Sequence, residues 1–214
     1  MVPCLYMSEM ALPAVDVHGF KQWFAGRHAP DLYESGFLSC ACYRGVLGDV
    51  TIYDLYQLPS WEVLNSAPYT DLVVDDGKKY YSGTNKWGAQ VIYDQARIDE
   101  FQPEKCSFRT LSWITVIRYD GDLPAIEAAL QQATPEYEKA GAVRARYARQ
   151  GKLHPRATAK GRPDGICMIE SGTELAAMRL NAALQAAMPG FAEEVSSFVG
   201  ERVAPWPDEQ IHGD

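Results

Sequence analysis

A weak internal repeat constrains the fold of this chain more than any other feature. Residues 30–36 read Pro-Asp-Leu-Tyr-Glu-Ser-Gly and residues 135–141 read Pro-Glu-Tyr-Glu-Lys-Ala-Gly, so a proline, an acid, a large apolar residue and a glycine recur 105 positions apart. Each copy follows an amphipathic helical stretch and precedes a strand-like run, at residues 37–43 and 142–147. A repeat at domain scale predicts two similar units that pack as a pseudo-dimer within one chain.

Composition narrows the class of protein. A length of 214 residues allows one large domain or two domains of about 100 residues each. The hydrophobic fraction of 47% and the 5 Trp, 12 Tyr and 7 Phe are ample for a packed core, which excludes disorder for most of the chain. The net charge of −8 argues against nucleic-acid binding. We therefore expect a globular protein with a small-molecule partner.

Cysteine usage and the N-terminal sequence predict a cytoplasmic protein. The five cysteines have no metal-ligand spacing, since Cys40-x-Cys42 lacks a second pair that would complete a zinc site. An odd count in a chain of this length favours reduced thiols. The first residues lack the basic and apolar regions of a signal peptide, and no apolar run approaches the length of a membrane span. We expect no metal, no cofactor and no membrane partner.

Periodicity predicts the order β-α-β-β-α-β twice, which is the ferredoxin-like unit. The predicted fold class is α+β, with two tandem ferredoxin-like units whose sheets face each other. The units span residues 1–100 and 106–204, and residues 205–214 form a tail. Pro30 is expected to end the first helix, because proline lacks a backbone donor. A second helix is expected to begin at Trp61 and to continue past Pro68.

The first half resembles the EthD-like proteins of the dimeric α/β-barrel superfamily. The residues that carry this resemblance are Phe20-x-x-Trp23-Phe24-x-x-Arg27-His28-Ala29-Pro30-Asp31-Leu32, Gly36-Phe37, Tyr43-Arg44, Tyr53-Asp54-Leu55-Tyr56-Gln57-Leu58 and Val63-Leu64-x-Ser66-x-x-Tyr69. The resemblance implies that the two units form an intramolecular dimeric α/β barrel, so that the chain is a monomer or a homodimer. The superfamily includes polyketide cyclases, lactone isomerases, cofactor-free oxygenases and haem-handling enzymes, so the fold leaves the reaction open.

His28, Tyr43 and Tyr56 are the candidate catalytic residues. The ordinary pKa of an imidazole, about 6.5, suits proton transfer at neutral pH, and the predicted helix end would favour the imidazolium. The second half has Ala133 where His28 would repeat, which favours a catalytic role over a structural cap. A tyrosine facing a cavity can donate a hydrogen bond to an oxyanion, although packing with a satisfied hydroxyl is the alternative for both tyrosines.

Arg144, Arg146, Trp87, Trp113 and Tyr69 are the candidate substrate-binding residues. The two arginines alternate with apolar residues and could point between the sheets, where they would need a carboxylate from the protein or from a ligand. The alternative is a rim position with both guanidinium groups in solvent. The tryptophans could line an aromatic-binding cavity or simply fill the core.

These residues predict a cofactor-independent lyase, isomerase or cyclase. His28 would move a proton on a small, apolar, oxygenated substrate that is aromatic, polyketide-like or lactone-like. A tyrosine would stabilise the oxyanion, and Arg144 or Arg146 would hold a carboxylate. One alternative is a small-molecule binding protein without chemistry. Another is a cofactor-free or haem-linked monooxygenase of the same superfamily.

Overall fold

The structure is a computed structural model in which eight antiparallel strands form a closed barrel. It describes residues 4–48, 50–74, 86–106, 111–153 and 164–204, with the backbone alone for residues 14–16, 74, 86–96, 151–153, 194 and 204. None of the helices in these ranges is both long and apolar enough to cross a bilayer.

The strands come in two groups of four along the chain. They are β1 (Cys4–Ala11), β2 (Ser39–Leu47), β3 (Ile52–Leu58), β4 (Lys86–Glu100), β5 (Trp113–Asp120), β6 (Ala142–Leu153), β7 (Gly165–Ser171) and β8 (Glu193–Ala204). The α-helices are α1 (Ala14–Trp23), α2 (Ala29–Glu34), α3 (Leu123–Gln132), α4 (Thr134–Ala140) and α5 (Glu174–Ala187). Shorter turns are the π-helical segments Phe24–His28 and Tyr69–Val74 and the 3₁₀ segments Trp61–Asn65 and Pro103–Lys105.

The sheet order shows how the two halves meet. Around the barrel the strands run β1-β3-β2-β8-β5-β7-β6-β4, and β4 pairs with β1 to close the ring. The first four strands are therefore neighbours in the order β4-β1-β3-β2, and the last four are neighbours in the order β8-β5-β7-β6. The halves join edge to edge through β2–β8 and β4–β6, instead of as two separate sheets packed face to face. Edge pairing gives the edge strands of both halves hydrogen-bond partners, which accounts for this difference from the expected packing.

Three apolar clusters stabilise the barrel. One fills its interior and includes Met7, Tyr43, Val116 and Phe198. The helices of the first half cover a second cluster on the outer face, and the helices of the second half cover a third. Because side chains alternate along a strand, each half supplies residues both to the interior and to the outer face.

Two local expectations about the helices are wrong. Pro30 does not end the first helix, because the π-helical turn Phe24–His28 leads directly into α2, where Pro30 lies in the first turn and needs no backbone donor. The segment that begins at Trp61 forms a short 3₁₀ turn and then a π-helical turn instead of one continuous α-helix.

The two repeat glycines end their helices in the same way. Gly36 has a φ of 96° after α2, and Gly141 has a φ of 100° after α4. This left-handed conformation suits glycine because other residues have a Cβ that clashes there.

Replacing Gly141 with alanine should destabilise the fold. A Cβ at this position would also lie 3.1 Å from the Cβ of Ala176. We expect Gly141→Ala to lower the free energy of unfolding by about 1–3 kcal/mol. Gly19→Ala in α1 is the matched control, because a Cβ there meets no atom within 4 Å. The free energy of unfolding of the control, measured in urea, should rise by up to about 1 kcal/mol. Equal effects of the two variants would contradict this account of Gly141.

Candidate active site

The candidate site lies on the outer face of the sheet in the first half. There β1, β2 and β3 are covered by α1, the π-helical turn and α2. The buried aromatic residues of this cluster are Tyr6, Phe20, Trp23, Phe24, Phe37, Tyr56 and Tyr69. These aromatic side chains pack together between the sheet and its helices.

The π-helical turn places His28 against the aromatic cluster. The backbone N–H of Ala29 donates to the carbonyl of Phe24, five residues earlier, which defines the wider turn. The imidazole stacks on Trp23 with 4.3 Å between ring centroids and lies 5.4 Å from the ring of Phe24. Single π-helical turns inside α-helices are frequent at functional sites.

His28, Tyr56 and Asp54 form a hydrogen-bonded chain. The Nε2 atom of His28 lies 3.3 Å from the hydroxyl oxygen of Tyr56, which accepts from Nε2–H when the tyrosine proton is donated to Asp54. The Tyr56 hydroxyl donates to Oδ2 of Asp54 at 3.1 Å. Asp54 and Tyr56 are two residues apart on β3, so their side chains share a face of the sheet. The chain therefore links a partly buried imidazole to a fully buried carboxyl group.

Burial sets the protonation of this carboxyl group. Burial raises the pKa of Asp54 to about 8, and hydrogen bonds with Cys42 and Tyr56 oppose part of that rise. Cys42 lies opposite Asp54 in the β2–β3 ladder, and burial also raises the pKa of its thiol, so the thiol remains protonated. A carboxyl group with a pKa near 8 can hold or release a proton close to neutral pH, which is the property of a general acid or base.

An aromatic wall surrounds the Tyr56 end of the chain. The Tyr56 ring stacks on Tyr6 with 5.2 Å between centroids, and Phe37 packs edge-on against it at 5.7 Å. Tyr69 in turn stacks on Phe37 at 5.7 Å. The structure therefore brings Tyr69, proposed from the resemblance, into the same cluster as His28 and Tyr56.

The other aromatic candidates lie elsewhere. Tyr43 lies in the barrel interior, on the opposite face of the sheet from Tyr56. Trp113 begins β5 in the second half and is partly buried. The backbone of Trp87 lies in β4, and its side chain is outside the described part of the structure.

Arg144 and Arg146 also lie apart from His28. Both are in contact with Glu170 of β7, which neighbours β6 in the sheet. They occupy the same face of β6 as Ala148, which belongs to the interior cluster. Glu170 is thus a protein carboxylate of the kind that buried arginines require. The expected single site shared by His28 and the two arginines is not formed by these contacts.

Asp54 and Trp23 are the site residues without a role in the sequence-based hypothesis. Asp54 has a detectable signal, since it lies two residues before Tyr56 in a strand and therefore on the same face. Trp23 has a weaker signal, because a tryptophan on the apolar side of a helix most often fills the core. Its stacking on His28 depends on the π-helical turn, which residue types alone do not indicate.

The raised pKa of Asp54 predicts a distinctive dependence of stability on pH. Between about pH 4 and pH 8 the folded protein holds a proton on Asp54 that the unfolded chain releases. The free energy of unfolding should therefore fall by up to about 1.4 kcal/mol per pH unit as the pH rises through this window. Asp54→Asn removes this pH-dependent contribution. From pH 5 to pH 7.5 the free energy of unfolding of the variant should therefore rise by about 3 kcal/mol relative to that of the parent. Urea unfolding of both proteins at both pH values measures this difference. The same change in the free energy of unfolding with pH in the parent and the variant would contradict the prediction.

Comparisons with known proteins show which solved structures have a similar fold. No family model and no curated protein matches the chain. A solved structure described as a monooxygenase, from Fusobacterium nucleatum subsp. nucleatum, has a TM-score of 0.65 at 7% identity, with 94% of this chain and 93% of that chain covered. Another described as a monooxygenase, from Lactobacillus acidophilus NCFM, has a TM-score of 0.59 at 10% identity, with 95% of both chains covered. An anthrone oxidase-like protein has a TM-score of 0.56 at 9% identity, with coverage of 94% and 91%.

These similarities establish an α+β chain with the dimeric α/β-barrel fold. Similar structures also include one named as a chlorite dismutase and one named as a haem-binding protein. The expectation of an α+β barrel fold is confirmed.

The predicted reaction class, a lyase, isomerase or cyclase, is wrong. The solved structures that share the fold are named for oxygenase, oxidase, chlorite dismutase or haem-binding roles. The physical reason is that histidine and tyrosine indicate only a proton transfer. The carbanion or enolate that such a transfer generates can rearrange, or it can react with oxygen, and the same residues serve both outcomes.

Neither histidine of the described residues is placed as a ligand of a haem iron would be. A haem iron needs a side-chain ligand such as a histidine nitrogen. The histidines in the described ranges are His18, which is exposed, and His28, whose Nε2 faces the Tyr56 hydroxyl and whose ring is stacked on Trp23. In the same ranges no three or more His, Cys, Asp or Glu side chains come together as metal ligands would.

Proposed function

We propose that this protein is a cofactor-independent monooxygenase that oxidises a small aromatic substrate with molecular oxygen. The observation that carries the proposal is the hydrogen-bonded chain His28–Tyr56–Asp54 beneath an aromatic wall. The names of the solved structures with the same fold support an oxidative reaction, and the anthrone oxidase-like protein suggests the substrate class. We therefore take as substrate an aromatic ketone with an acidic CH₂ group that is conjugated to the carbonyl through the aromatic rings, as in anthrone.

The reaction balances without a further reductant. A C–H proton of the CH₂ group passes to His28, and the substrate becomes a carbanion stabilised by its own aromatic rings. The carbanion gives electrons to O₂ and forms a C–O bond, and a proton returning from the chain gives a hydroperoxide. Loss of the second C–H proton together with hydroxide breaks the O–O bond and leaves a new carbonyl group. One CH₂ and one O₂ thus give one C=O and one water.

Each residue has a stated role in this scheme. His28 is only partly buried, so it is the member of the chain that a ligand entering from solvent can reach. Tyr56 lies between His28 and Asp54 and passes the proton between them. Asp54 is protonated below its raised pKa of about 8, so it can supply the proton that returns to form the hydroperoxide. Trp23 fixes the orientation of the imidazole by stacking on it.

Oxygen uptake with anthrone as the probe tests the proposal. We expect one O₂ consumed per quinone formed, with one atom of ¹⁸O₂ in the product carbonyl. Extended dialysis against a chelator should leave the rate unchanged. Saturable binding of anthrone without any oxygen uptake above background would contradict the proposal and would identify a small-molecule binding protein.

We also propose that the barrel consists of two tandem ferredoxin-like units, residues 1–100 and 106–204, followed by the segment 205–214. The identical strand order in the two halves supports this division, as do the matching positive φ angles of Gly36 and Gly141. Since the ring of strands is closed within one chain, we expect the folded protein to survive dilution as a monomer. Sedimentation over a wide concentration range measures this, and unfolding on dilution would contradict it.

A further inference from the structure

Among the described residues, buried charges in the barrel interior include two groups on different strands. In the first, Arg118 of β5 donates to Glu9 of β1 at 2.6 Å, and their side chains are only 6% and 8% exposed. This pair matches one positive charge with one negative charge. The second group includes Glu170, which lies opposite Ile114 in the β5–β7 ladder. Ile114 and Arg118 are four residues apart, so the two groups are separated by about 13 Å along the strand.

In the second group two guanidinium groups contact one carboxylate. Arg144 makes a bidentate contact with Glu170, with Nε–Oε2 at 2.6 Å and NH2–Oε1 at 2.9 Å. Arg146 reaches the same Oε2 atom with its Nε at 3.2 Å. Burial would raise the pKa of Glu170, but the charge of Arg146 and the hydrogen bonds from Arg144 lower it to about 2. The carboxylate is therefore ionised, and two guanidinium groups share one negative charge.

Tyr43 lies in the same barrel interior, on β2, which is across the ring of eight strands from β6. Burial raises the pKa of Tyr43 to about 12, with a smaller contribution from Glu170, while Arg202, Arg146 and Arg144 act in the opposite direction. The phenol is thus a neutral hydroxyl donor in the field of these charges. Arg202 lies opposite Tyr43 in the β2–β8 ladder, so a third arginine approaches this end of the barrel.

We propose that this end of the barrel binds a small carboxylate, in a site formed by Arg144, Arg146 and Tyr43 and distinct from the His28 site. The two guanidinium groups use three of their N–H donors on Glu170, so further donors remain for a second anion. A carboxylate accepts hydrogen bonds from guanidinium and phenol groups. Access from solvent is past Arg144, whose side chain is 18% exposed, whereas that of Arg146 is 8% exposed. This site goes beyond the proposed oxidation and does not depend on it.

Calorimetric titration with acetate at constant ionic strength tests the proposal. We expect saturable one-to-one binding that weakens at least about tenfold in Arg146→Gln, since a buried charged hydrogen bond is lost. Arg44→Gln is the control, because Arg44 forms an ion pair with Glu201 on the surface and its side chain is 53% exposed. That variant should bind acetate like the parent.

A second variant keeps the proposal testable if Arg146→Gln does not fold. Tyr43→Phe removes a single hydroxyl and should weaken acetate binding several-fold with the barrel intact. Absence of saturable binding by the parent protein would overturn the proposal and leave the group as a structural ion pair. Equal binding by the parent and Tyr43→Phe would overturn the assigned site, as would loss of binding in Arg44→Gln.

Discussion

His28→Ala should lower kcat by about 10²–10⁴-fold with anthrone as substrate, the range that a positioned general base contributes. The imidazole is the exposed end of the His28–Tyr56–Asp54 chain, so its removal leaves the substrate without a proton acceptor. The effect on KM should be small, because the aromatic wall that would hold the substrate remains.

The control for this variant is the other described histidine. His18 lies on α1 and is exposed, so His18→Ala should retain the parent's kcat and KM. Tyr56→Phe gives an intermediate test, because it breaks the chain but keeps the imidazole and the ring packing. We expect this variant to have a lower kcat than the parent. Its kcat/KM should also no longer depend on the ionisation of Asp54. A His28→Ala variant with the parent's rate would remove His28 from the mechanism.

Glu170→Gln should lower the free energy of unfolding by about 3–5 kcal/mol, which is the cost of breaking a buried ion pair. The substitution leaves Arg144 and Arg146 with no opposing charge at their shared contact. Urea unfolding at pH 7 measures the loss. Glu201→Gln on the barrel surface is the matched control, because an exposed pair with Arg44 is worth at most about 1 kcal/mol.

The pH dependence of this effect has a definite sign. The folded-state pKa of Glu170 is about 2, below the ordinary value of 4.5. The stability that its ionisation contributes is therefore fully present above about pH 4.5 and is lost as the pH falls toward 2. The parent should lose stability more steeply than Glu170→Gln in this acid range. A stability loss in Glu170→Gln no larger than in Glu201→Gln would contradict a structural role for the buried group.

The fold could largely be predicted from the sequence because its signals are local. The two glycines of the repeat adopt positive φ angles and end helices before β2 and β6, so their recurrence reflects the same backbone requirement twice. Successive side chains of a strand point to opposite faces, so Tyr43 and Cys42 are expected on different faces of β2. The structure places the two residues in different apolar clusters. By contrast, the sequence predicts that Pro30 stops a helix, whereas the structure has Pro30 in the first turn of α2, directly after a π-helical turn.

The candidate site was less predictable because it depends on contacts between distant residues. His28 and Tyr56 are 28 positions apart, and their contact depends on how the helix lies on the sheet. Asp54 looks like an ordinary polar strand residue, and its raised pKa arises only from complete burial. The need of Arg144 and Arg146 for a carboxylate follows from charge alone. The identity of Glu170 as that carboxylate requires the register between β6 and β7.

Hydrogen–deuterium exchange in the absence of oxygen tests the central claim most directly. If the His28–Tyr56–Asp54 chain removes a C–H proton before oxygen reacts, the parent protein should exchange the CH₂ protons of anthrone with D₂O under strictly anaerobic conditions. The exchange should be faster than in buffer alone, and His28→Ala should reduce it to that background. Background exchange in the presence of the parent protein, or equal exchange by the parent and His28→Ala, would contradict the account.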